Sequence, residues 1–566
     1  MNTRHPRSAT LLFIISITSC LGASLATAQP TWRVSVDSEG NQPDGWCTSA
    51  PALSLDGRFV AFGSFARDLV ARDTNRSTDI FLHDRVTGET RRVSLSYLGK
   101  QANDASDEPA ISGDGRFVAF SSRATNLAPR DIDFLNRFGS PEHLWIRRIF
   151  VRDTLLENTV QASVSSSGSP ANASSIDPAI SADGRFVAYT SSATNLAPGD
   201  SAGFDDVFVH DLVTGTTTRV SVSLAGGESD GTSFAPAISG DGRFVAFTST
   251  STDLIPGDTN GQQDVFVRDL VTRTTTLVSV DSSGLLGNGT STAPALSPDG
   301  RFVAFHSSAE NLVPGDTGST PYDVFVHDRS TPTTFRVSVD SSGAEANGSS
   351  TWPAISADGR YVAFQSQATN LVPGDTNGDD DVFVHDTLTG KTVRVSVHSS
   401  GAEGDDRSQR AAISADGRFT AFFSDAGNLV PNDTNRARDI FVRDLVALEL
   451  EGTPQAGSPV RFALSHAWGE TGNTMQVLLS CSGTMPGFVL PGGDGRRVYL
   501  VPDACTSLGL TLGSLLQGTV GSDGRAETPL LPFPVAPTGI TVGAVALTLS
   551  GPVFEAITTP ISFVTQ

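Results

Sequence analysis

Short apolar runs separated by polar turns recur along most of the chain. One copy contains the runs Pro353–Ser356, Arg360–Ser366, Asp381–Asp386 and Val393–Val397, with the turn Asp358-Gly359 between the first two. Asp-Gly pairs favour tight hairpins because their central residues accept positive φ. The second and third runs are apolar on both alternating faces, which is typical of strands buried between neighbouring sheets. Each copy therefore predicts a four-stranded antiparallel sheet.

The copies repeat at a nearly constant spacing. The turn Asp-Gly-Arg recurs every 58 or 59 residues, with one step of 69 that an insertion near 136–147 explains. The seven turns begin at Asp56, Asp114, Asp183, Asp241, Asp299, Asp358 and Asp416. Four-stranded sheets that pack face to face around an axis form a β-propeller. The repeat therefore predicts an all-β fold with seven blades.

The two ends of the repeat region complement one another. The seventh copy ends after Asp439–Asp444 and lacks a fourth Arg-Val-Ser-Val strand, whereas Arg33–Val36 precedes the first copy and has that pattern. An N-terminal strand that completes the last blade would remove an exposed sheet edge. We therefore predict a closed seven-bladed propeller over residues 29–446.

The repeating unit, in the form PAISxDGRFVAF…DVFVHD…RVSV, resembles the WD-type propeller repeats of the TolB-like superfamily. The resemblance covers residues 29–446 and implies the propeller fold. Propellers serve both binding proteins and enzymes, so it implies no single function. TolB-like proteins commonly have shorter repeats and six blades, and a role in the Tol–Pal system is therefore not implied.

A second domain is predicted after the repeat ends near Ala447. The alternating runs Val460–Leu464, Gln476–Leu479 and Ile540–Leu549, separated by Gly and Pro, indicate a small antiparallel β-sandwich-like domain over residues 447–566. An exported chain is exposed to oxidation, which predicts a Cys481–Cys505 disulfide in this domain. Cys47 would then be a buried, unpaired thiol.

Residues 1–28 have the features of a signal peptide. Arg4 and Arg7 precede the apolar stretch Ala9–Ile17, and Ala26-Thr27-Ala28 provides a cleavage site. We expect a periplasmic or extracellular protein, with no later transmembrane segment. A second interpretation is a bacterial lipobox ending at Cys20, which would leave the mature protein lipid-anchored at that residue.

The charge balance excludes one class of partner. The chain has 39 basic and 61 acidic residues and a net charge of −22. Proteins that bind nucleic acid need clustered Lys and Arg to neutralise phosphates, and no such cluster occurs. We expect a monomer with a protein or glycan ligand.

The predicted topology places the longer loops on one side of the propeller. Strand direction alternates, so the connections from second to third strand and from fourth strand to the next blade emerge together, at what we call the long-loop face. Long loops on a rigid scaffold often carry function. The insertion in the second blade lies on this face and is a candidate specificity loop, with the alternative that it is a neutral surface excursion. Its candidate ligand-binding residues are Phe134, Phe138, His143 and Trp145.

An Asp-x-Asn-x-x-x-Asp pattern recurs in four of the long loops. Alternating oxygen ligands suit calcium, while Asp and Asn also stabilise turns by bonding to their own backbone. Both interpretations stay open, so calcium is a candidate ion and no cofactor is required. The candidate ligands are Asp73, Asn75, Asp79, Asp258, Asn260, Asp264, Asp375, Asn377, Asp379, Asp381, Asp433, Asn435 and Asp439.

Catalytic signals are weak. The third strand of every copy ends in His-Asp or Arg-Asp, and rotational repetition places these pairs in different blades, which favours a structural role. No nucleophile elbow, zinc-binding helix motif or phosphate-binding loop occurs, and we identify no catalytic residue. The first hypothesis is an exported, non-enzymatic binding or scaffold protein that uses the long-loop face. The alternatives are a hydrolase or lyase of extracellular polymers, with its site at the channel mouth, and a calcium-stabilised structural protein.

Overall fold

The computed structural model describes residues 30–129, 146–201, 203–318 and 320–445, and the backbone of several strands between 448 and 561. Pro30–Leu445 forms one compact unit made of seven four-stranded antiparallel sheets, and no helix occurs in the described ranges. Each first strand contacts the first strands of both neighbouring blades, so the seven sheets close around a central axis. The predicted seven-bladed β-propeller is confirmed.

The strands follow the repeat from the axis outward. The first strands are Ala52–Leu53, Ser106–Ile111, Ser175–Ile180, Ser233–Ile238, Ser291–Leu296, Ser350–Ile355 and Ser408–Ile413. The second strands are Phe59–Ser64, Phe117–Ser122, Phe186–Ser191, Phe244–Ser249, Phe302–Ser307, Tyr361–Ser366 and Phe419–Ser424. The third strands are Asp79–Asp84, Arg148–Asp153, Asp206–Asp211, Asp264–Asp269, Asp323–Asp328, Asp381–Asp386 and Asp439–Asp444. The fourth strands of blades 1 to 6 are Thr90–Arg92, Asn158–Gln161, Thr216–Arg219, Thr274–Leu277, Thr333–Arg336 and Lys391–Arg394.

The fourth strand of blade 7 comes from the N-terminal end of the unit. Thr31–Arg33 pairs antiparallel with the third strand of that blade, with Thr31 opposite Arg443. The closing strand was predicted at Arg33–Val36, two residues too late. The reason is that Ser35 leaves the ladder: its hydroxyl donates to Asp439 Oδ1 at 2.6 Å and accepts the Ile440 N–H at 3.0 Å. Closure by an N-terminal strand is nevertheless confirmed.

Two other strand predictions are corrected. In blade 6 the fourth strand was predicted at Val393–Val397 and lies at Lys391–Arg394, because Ser396 bonds to Asp381 as Ser35 does to Asp439. The first strand was predicted at Pro353–Ser356, but it begins at Ser350 and contains a β-bulge between Thr351 and Ala354.

The hydrophobic core lies between neighbouring sheets. The second and third strands are almost completely buried, and in each blade one aromatic ring from each of them stacks in parallel, as Phe62 and Phe81 do with ring centroids 5.9 Å apart. Between blades 7 and 1, Val34 packs with Val60 and Val442, and the buried thiol of Cys47 lies in the same cluster. Cys47 is unpaired, as predicted.

Recurring polar contacts hold each blade together at the short-turn end. In blade 1 the Arg58 guanidinium donates to both carboxylate oxygens of Asp84, at 2.9 and 2.6 Å. These bonds hold the pKa of Asp84 well below its ordinary value. The same pair occurs in every blade, as Arg116–Asp153, Arg185–Asp211, Arg243–Asp269, Arg301–Asp328, Arg360–Asp386 and Arg418–Asp444. The Asp of each predicted His-Asp or Arg-Asp pair is therefore a partner of the Asp-Gly-Arg turn.

The Asp-Gly turn also packs one blade against the next. Only the glycine has positive φ (72° at Gly359), so the prediction that both central residues need it is wrong. Asp358 instead accepts the Ser356 hydroxyl at 2.7 Å within a longer turn. A Cβ on Gly359 would lie 2.3 Å from the Phe302 ring of the preceding blade. Glycine is required there by both φ and contact.

The C-terminal unit is described only by its strands. Leu448–Glu451, Pro459–Leu464 and Gln476–Ser480 form one antiparallel sheet, and Thr519–Val520 pairs with Ala526–Glu527 and Ala544–Thr548 with Ala556–Ile561. The sandwich arrangement stays a prediction. Cys481, Cys505 and the targeting segment with Cys20 lie outside the described residues. In the described part of the chain, no helix has the length and apolar character needed to cross a bilayer.

Candidate functional site

The Asp-Asn loops are built around arginines as well as carboxylates. In blade 1, Arg92 from the fourth strand reaches Asp73 at 3.1 Å and Asp79 at 3.5 Å. Asn75 donates to Asp79 at 3.0 Å, and its amide oxygen accepts the Ser77 N–H at 2.9 Å. An internal guanidinium therefore supplies the positive charge in this loop, and the asparagine stabilises the turn.

Sequence reasoning missed these arginines. Arg33 plays the same part for Asp433 and Asp439, both at 3.2 Å, and Arg394 does so for Asp375 and Asp381. Three acidic triads have the proximity that a metal ion needs, and an arginine lies on each of them. The triads are Asp200–Asp206–Glu228, Asp316–Asp323–Glu345 and Asp375–Asp381–Glu403. Calcium in these loops stays a prediction. Asp379 is part of the turn, because its backbone N–H donates to the side-chain oxygen of Asn377 at 3.0 Å.

The histidines of the His-Asp pairs are structural. His83 is buried, and its Nδ1 lies 2.8 Å from the Thr90 hydroxyl of the fourth strand. Burial lowers the pKa of His83 to about 4. His210, His327 and His385 make the equivalent contact in their own blades. The structure therefore does not bring these four histidines together. The insertion residues Phe134, Phe138, His143 and Trp145 lie outside the described residues.

One position that differs strongly between blades lies at the entrance to the central channel. Directly before the Pro-Ala (Ala-Ala in blade 7) of each first strand stands one residue that the repeat does not fix, and we call these seven positions the channel ring. They are Ala50, Glu108, Asp177, Ala235, Ala293, Trp352 and Arg410. First strands enter from the long connections, so the ring lies at the long-loop end of the channel. Sequence reasoning missed it because the first strand was predicted to begin after it.

The channel ring is strained in the same way in six blades. Every member except Ala50 has φ between 51° and 56°, although none is glycine. Each of these six first strands also has a register shift at this point, a β-bulge that changes the direction of the side chain. Such strain costs of order 1 kcal/mol per residue and is found preferentially at functional sites.

Side chains of the preceding blade support the ring. The Trp352 N–H faces His306 Nδ1 at 3.4 Å, and the Arg410 N–H donates to Gln365 Oε1 at 3.0 Å. The Asp177 N–H donates to Glu108 Oε2 at 3.1 Å. Because these bulges contact the neighbouring blade, this part of the ring is pre-organised around the channel.

One half of the channel ring is acidic. The other half combines the indole of Trp352 with the guanidinium of Arg410. In blades 2 and 3, burial and then the charge of Glu108 raise the pKa of Asp177 to about 6. In blades 6 and 7, the Arg410 guanidinium stacks on Trp352 at 3.3 Å from the ring centroid. Ala235 and Ala293, whose side chains are only methyl groups, separate the two halves.

A buried imidazole supports the aromatic half. His306 is 5% exposed and contacts both Trp352 and the ring of Tyr322, with centroids 5.7 and 5.3 Å away. Burial and then the charge of Arg410 lower the pKa of His306 to about 4. It is therefore neutral at physiological pH and positions Trp352 rather than carrying charge.

A second depression lies on the same face, where blade 7 meets the segment before blade 1. It has a volume of about 970 Å³, and its lining includes Trp46, Asp425 and Arg438. Its charges are largely paired, since Asp425 accepts from Arg407 at 2.6 Å and from Arg438 at 3.0 Å. The channel ring has one such pair, Glu108 with Arg147 at 3.7 Å, and is the stronger candidate site.

The protonation of Asp177 gives a pH-dependent test of this geometry. Its folded pKa of about 6 lies above the ordinary value near 3.9, so its charge destabilises the fold as pH rises through 6. We expect Asp177→Asn, an amide that tolerates positive φ, to raise the unfolding free energy by at most about 3 kcal/mol at pH 8 and by less than about 0.5 kcal/mol at pH 4. Urea unfolding at both pH values measures this, with Glu89→Gln as the exposed control. Equal effects of Asp177→Asn at both pH values would contradict the assignment.

No family model and no curated protein matches the chain. Among solved structures, it is similar to an oligogalacturonate lyase in complex with manganese (14% identity, 77% of this chain and 97% of that chain covered, TM-score 0.44). It is also similar to the propeller domain of the Trilobed protease from Pyrococcus furiosus (11%, 71% and 94%, 0.43) and to a putative TolB from Agrobacterium tumefaciens (16%, 51% and 79%, 0.31). The chain is a seven-bladed β-propeller. The likeness concerns architecture alone.

Proposed function

We propose that this protein is an exported binding protein that holds a neutral or basic glycan at the channel ring. The observation that supports it most is the contrast within the repeat. The residues that hold each blade together recur from blade to blade, whereas the channel ring combines carboxylates, a tryptophan and a guanidinium on strained bulges. All seven blades share the same fold, so folding alone does not explain why the ring residues differ between them.

The chemistry of the ring favours a sugar. Trp352 is 37% exposed, and the part of its apolar ring that Arg410 leaves uncovered can stack on a sugar, while Glu108 and Asp177 can accept hydrogen bonds from hydroxyl or ammonium groups. The ring surrounds the entrance to a channel, which suits a narrow ligand better than the surface of about 800 Å² per partner that a stable protein interface buries. The acidic half and the net charge of −22 disfavour uronate-rich chains.

The test is a glycan array with neutral, amino and uronate sugars, followed by titration calorimetry on the best ligand. We expect Trp352→Ala to weaken binding at least about tenfold, because it removes the stacking surface. Trp32→Ala is the matched control: Trp32 is 41% exposed and lies on the outer strand of blade 7. Equal binding by both variants would refute the site, and a preference for uronates would refute the ligand class.

A polymer-acting hydrolase or lyase is the second candidate, and the Glu108–Asp177 pair is what favours it. A carboxyl with a pKa of about 6 beside a second carboxyl suits a general acid near neutral pH. If this function is correct, the glycan that binds will be cleaved, and Asp177→Asn will retain binding while losing turnover.

Export and an extracytoplasmic location are part of the proposal and rest on the signal-peptide pattern of residues 1–28. A calcium-stabilised structure is the third candidate, and the three acidic triads, whose carboxylates lie close enough together to hold an ion, support it.

A further inference from the structure

Blade 4 departs from its neighbours at the arginine of the Asp-Asn loop. The fourth-strand position that faces the two Asp side chains is occupied by Arg33, Arg92, Arg219, Arg336 and Arg394 in blades 7, 1, 3, 5 and 6. In blade 4 it is Leu277. Nine residues further along, where blades 7, 1, 3, 5 and 6 have Gln42, Gln101, Glu228, Glu345 and Glu403, blade 4 has Leu286. The two positions that hold polar side chains in those five blades therefore both hold leucine in blade 4.

The carboxylates of this loop nevertheless remain. Asp258 is 8% exposed and Asp264 is fully buried. Asp264 is satisfied, since it accepts from the Ser279 hydroxyl at 2.6 Å and from the Asn260 amide at 2.7 Å. Among the described residues, no side chain donates to Asp258 and no cation pairs with it. Its interaction within the loop is with the backbone N–H of Asn260.

Two buried carboxylates without a counter-charge are unfavourable. Burial, and then the charge of Asp264, raise the pKa of Asp258 to about 6. Apolar neighbours such as Leu277 and Leu286 lower the local dielectric and strengthen the attraction for any cation that enters. The five sister loops demonstrate that this geometry accommodates a positive group between the two Asp residues.

We propose that the loop of blade 4 binds a divalent cation of the calcium type, held by Asp258 and Asp264 where the other loops have a guanidinium. The ligands are hard oxygens, and two carboxylates balance its charge. The carbonyl of Gly287, which already accepts from Asn260 at 3.0 Å, lies beside them, and water completes the coordination. With so few protein ligands, the dissociation constant should lie near 10⁻⁴ to 10⁻³ M, about that of extracellular calcium modules. This site is independent of the proposed glycan function.

The experiment is thermal unfolding of the full chain after treatment with a chelator, with and without about 10 mM CaCl₂. We expect calcium to raise the Tm by about 2 °C or more, because an ion that binds only the folded state stabilises it by mass action. Leu277→Arg restores the guanidinium, so we expect its metal-free Tm to be higher than that of the parent and unresponsive to calcium.

Asp258→Asn is the second variant and removes one ligand without adding bulk. It should also lose the calcium response, which keeps the test valid if Leu277→Arg does not fold. An unchanged Tm in the parent chain would overturn the proposal and indicate that the two carboxylates share a proton. A response that persists in both variants would overturn it as well, because the ion would then bind elsewhere.

Discussion

Replacing Val34 by aspartate should open the propeller and lower its free energy of unfolding by more than about 4 kcal/mol. Val34 is 2% exposed and lies in the cluster that joins blade 7 to blade 1. Its N–H also donates to the Ile440 carbonyl at 2.8 Å, next to the Thr31–Arg33 ladder. A carboxylate there would be buried among apolar side chains with no counter-charge, which is among the most destabilising of substitutions.

The consequence extends beyond one side chain. If the closing strand detaches, Arg33 leaves Asp433 and Asp439, and the third strand Asp439–Asp444 becomes an exposed edge. We therefore expect Val34→Asp to unfold at lower urea concentration and to aggregate at concentrations where the parent chain is stable. Circular dichroism and light scattering measure the two effects.

Trp32→Ser is the matched control, because it changes the same strand at a position that is 41% exposed. Trp32→Ser should alter the unfolding free energy by less than about 1 kcal/mol. This figure includes the loss of the contact between Trp32 and Arg85. If Val34→Asp were as stable as Trp32→Ser, the N-terminal strand would not be what closes the ring.

The fold was predictable because its information is local and repeated. The spacing of Asp-Gly-Arg, the buried DVFVHD strand and the missing fourth strand at one end each pointed to the same closed ring. The strand ends were less accurate for a physical reason. Ser35 and Ser396 use their hydroxyls to bond to Asp439 and Asp381 across the sheet, which ends backbone pairing earlier than the β-branched pattern RVSV indicates.

The channel ring was not predictable in the same way. Trp352 and Arg410 adopt positive φ, which neither residue favours, and only the supporting contacts with His306 and Gln365 show why they do. A comparison of the copies does contain a signal: the residue before Pro-Ala or Ala-Ala varies from charged to aromatic to small, while the two residues after it stay nearly constant.

The arginines of the Asp-Asn loops were missed because they lie far from the loop in sequence. Arg92 follows Asp73 by a whole strand and turn, and only the antiparallel pairing of the third and fourth strands brings them together. A comparison of the copies again contains a signal. Arginine is the first residue of the RVSV pattern in the blades whose loop has two Asp residues, except in blade 4, where Leu277 replaces it.

Arg92→Leu should therefore convert the loop of blade 1 into one like that of blade 4, at a cost of about 3–5 kcal/mol. The Arg92 side chain is 7% exposed, and its loss leaves Asp73 and Asp79 buried without a cation. Burial already raises the pKa of Asp79, and removing the guanidinium would raise it further. Protonation then relieves the repulsion, so the deficit should be smaller at pH 4 than at pH 8.

Arg91→Leu is the control for this substitution, because Arg91 lies on the same strand but only reaches the Thr154 carbonyl at 3.4 Å. It should cost less than about 1 kcal/mol. The double variant Arg92→Leu with Gln101→Leu reproduces both aliphatic positions of blade 4, and calcium should restore part of its stability. If the double variant is destabilised and calcium does not change its stability, two buried carboxylates are not enough to hold the ion. The site in blade 4 would then need a ligand beyond Asp258 and Asp264.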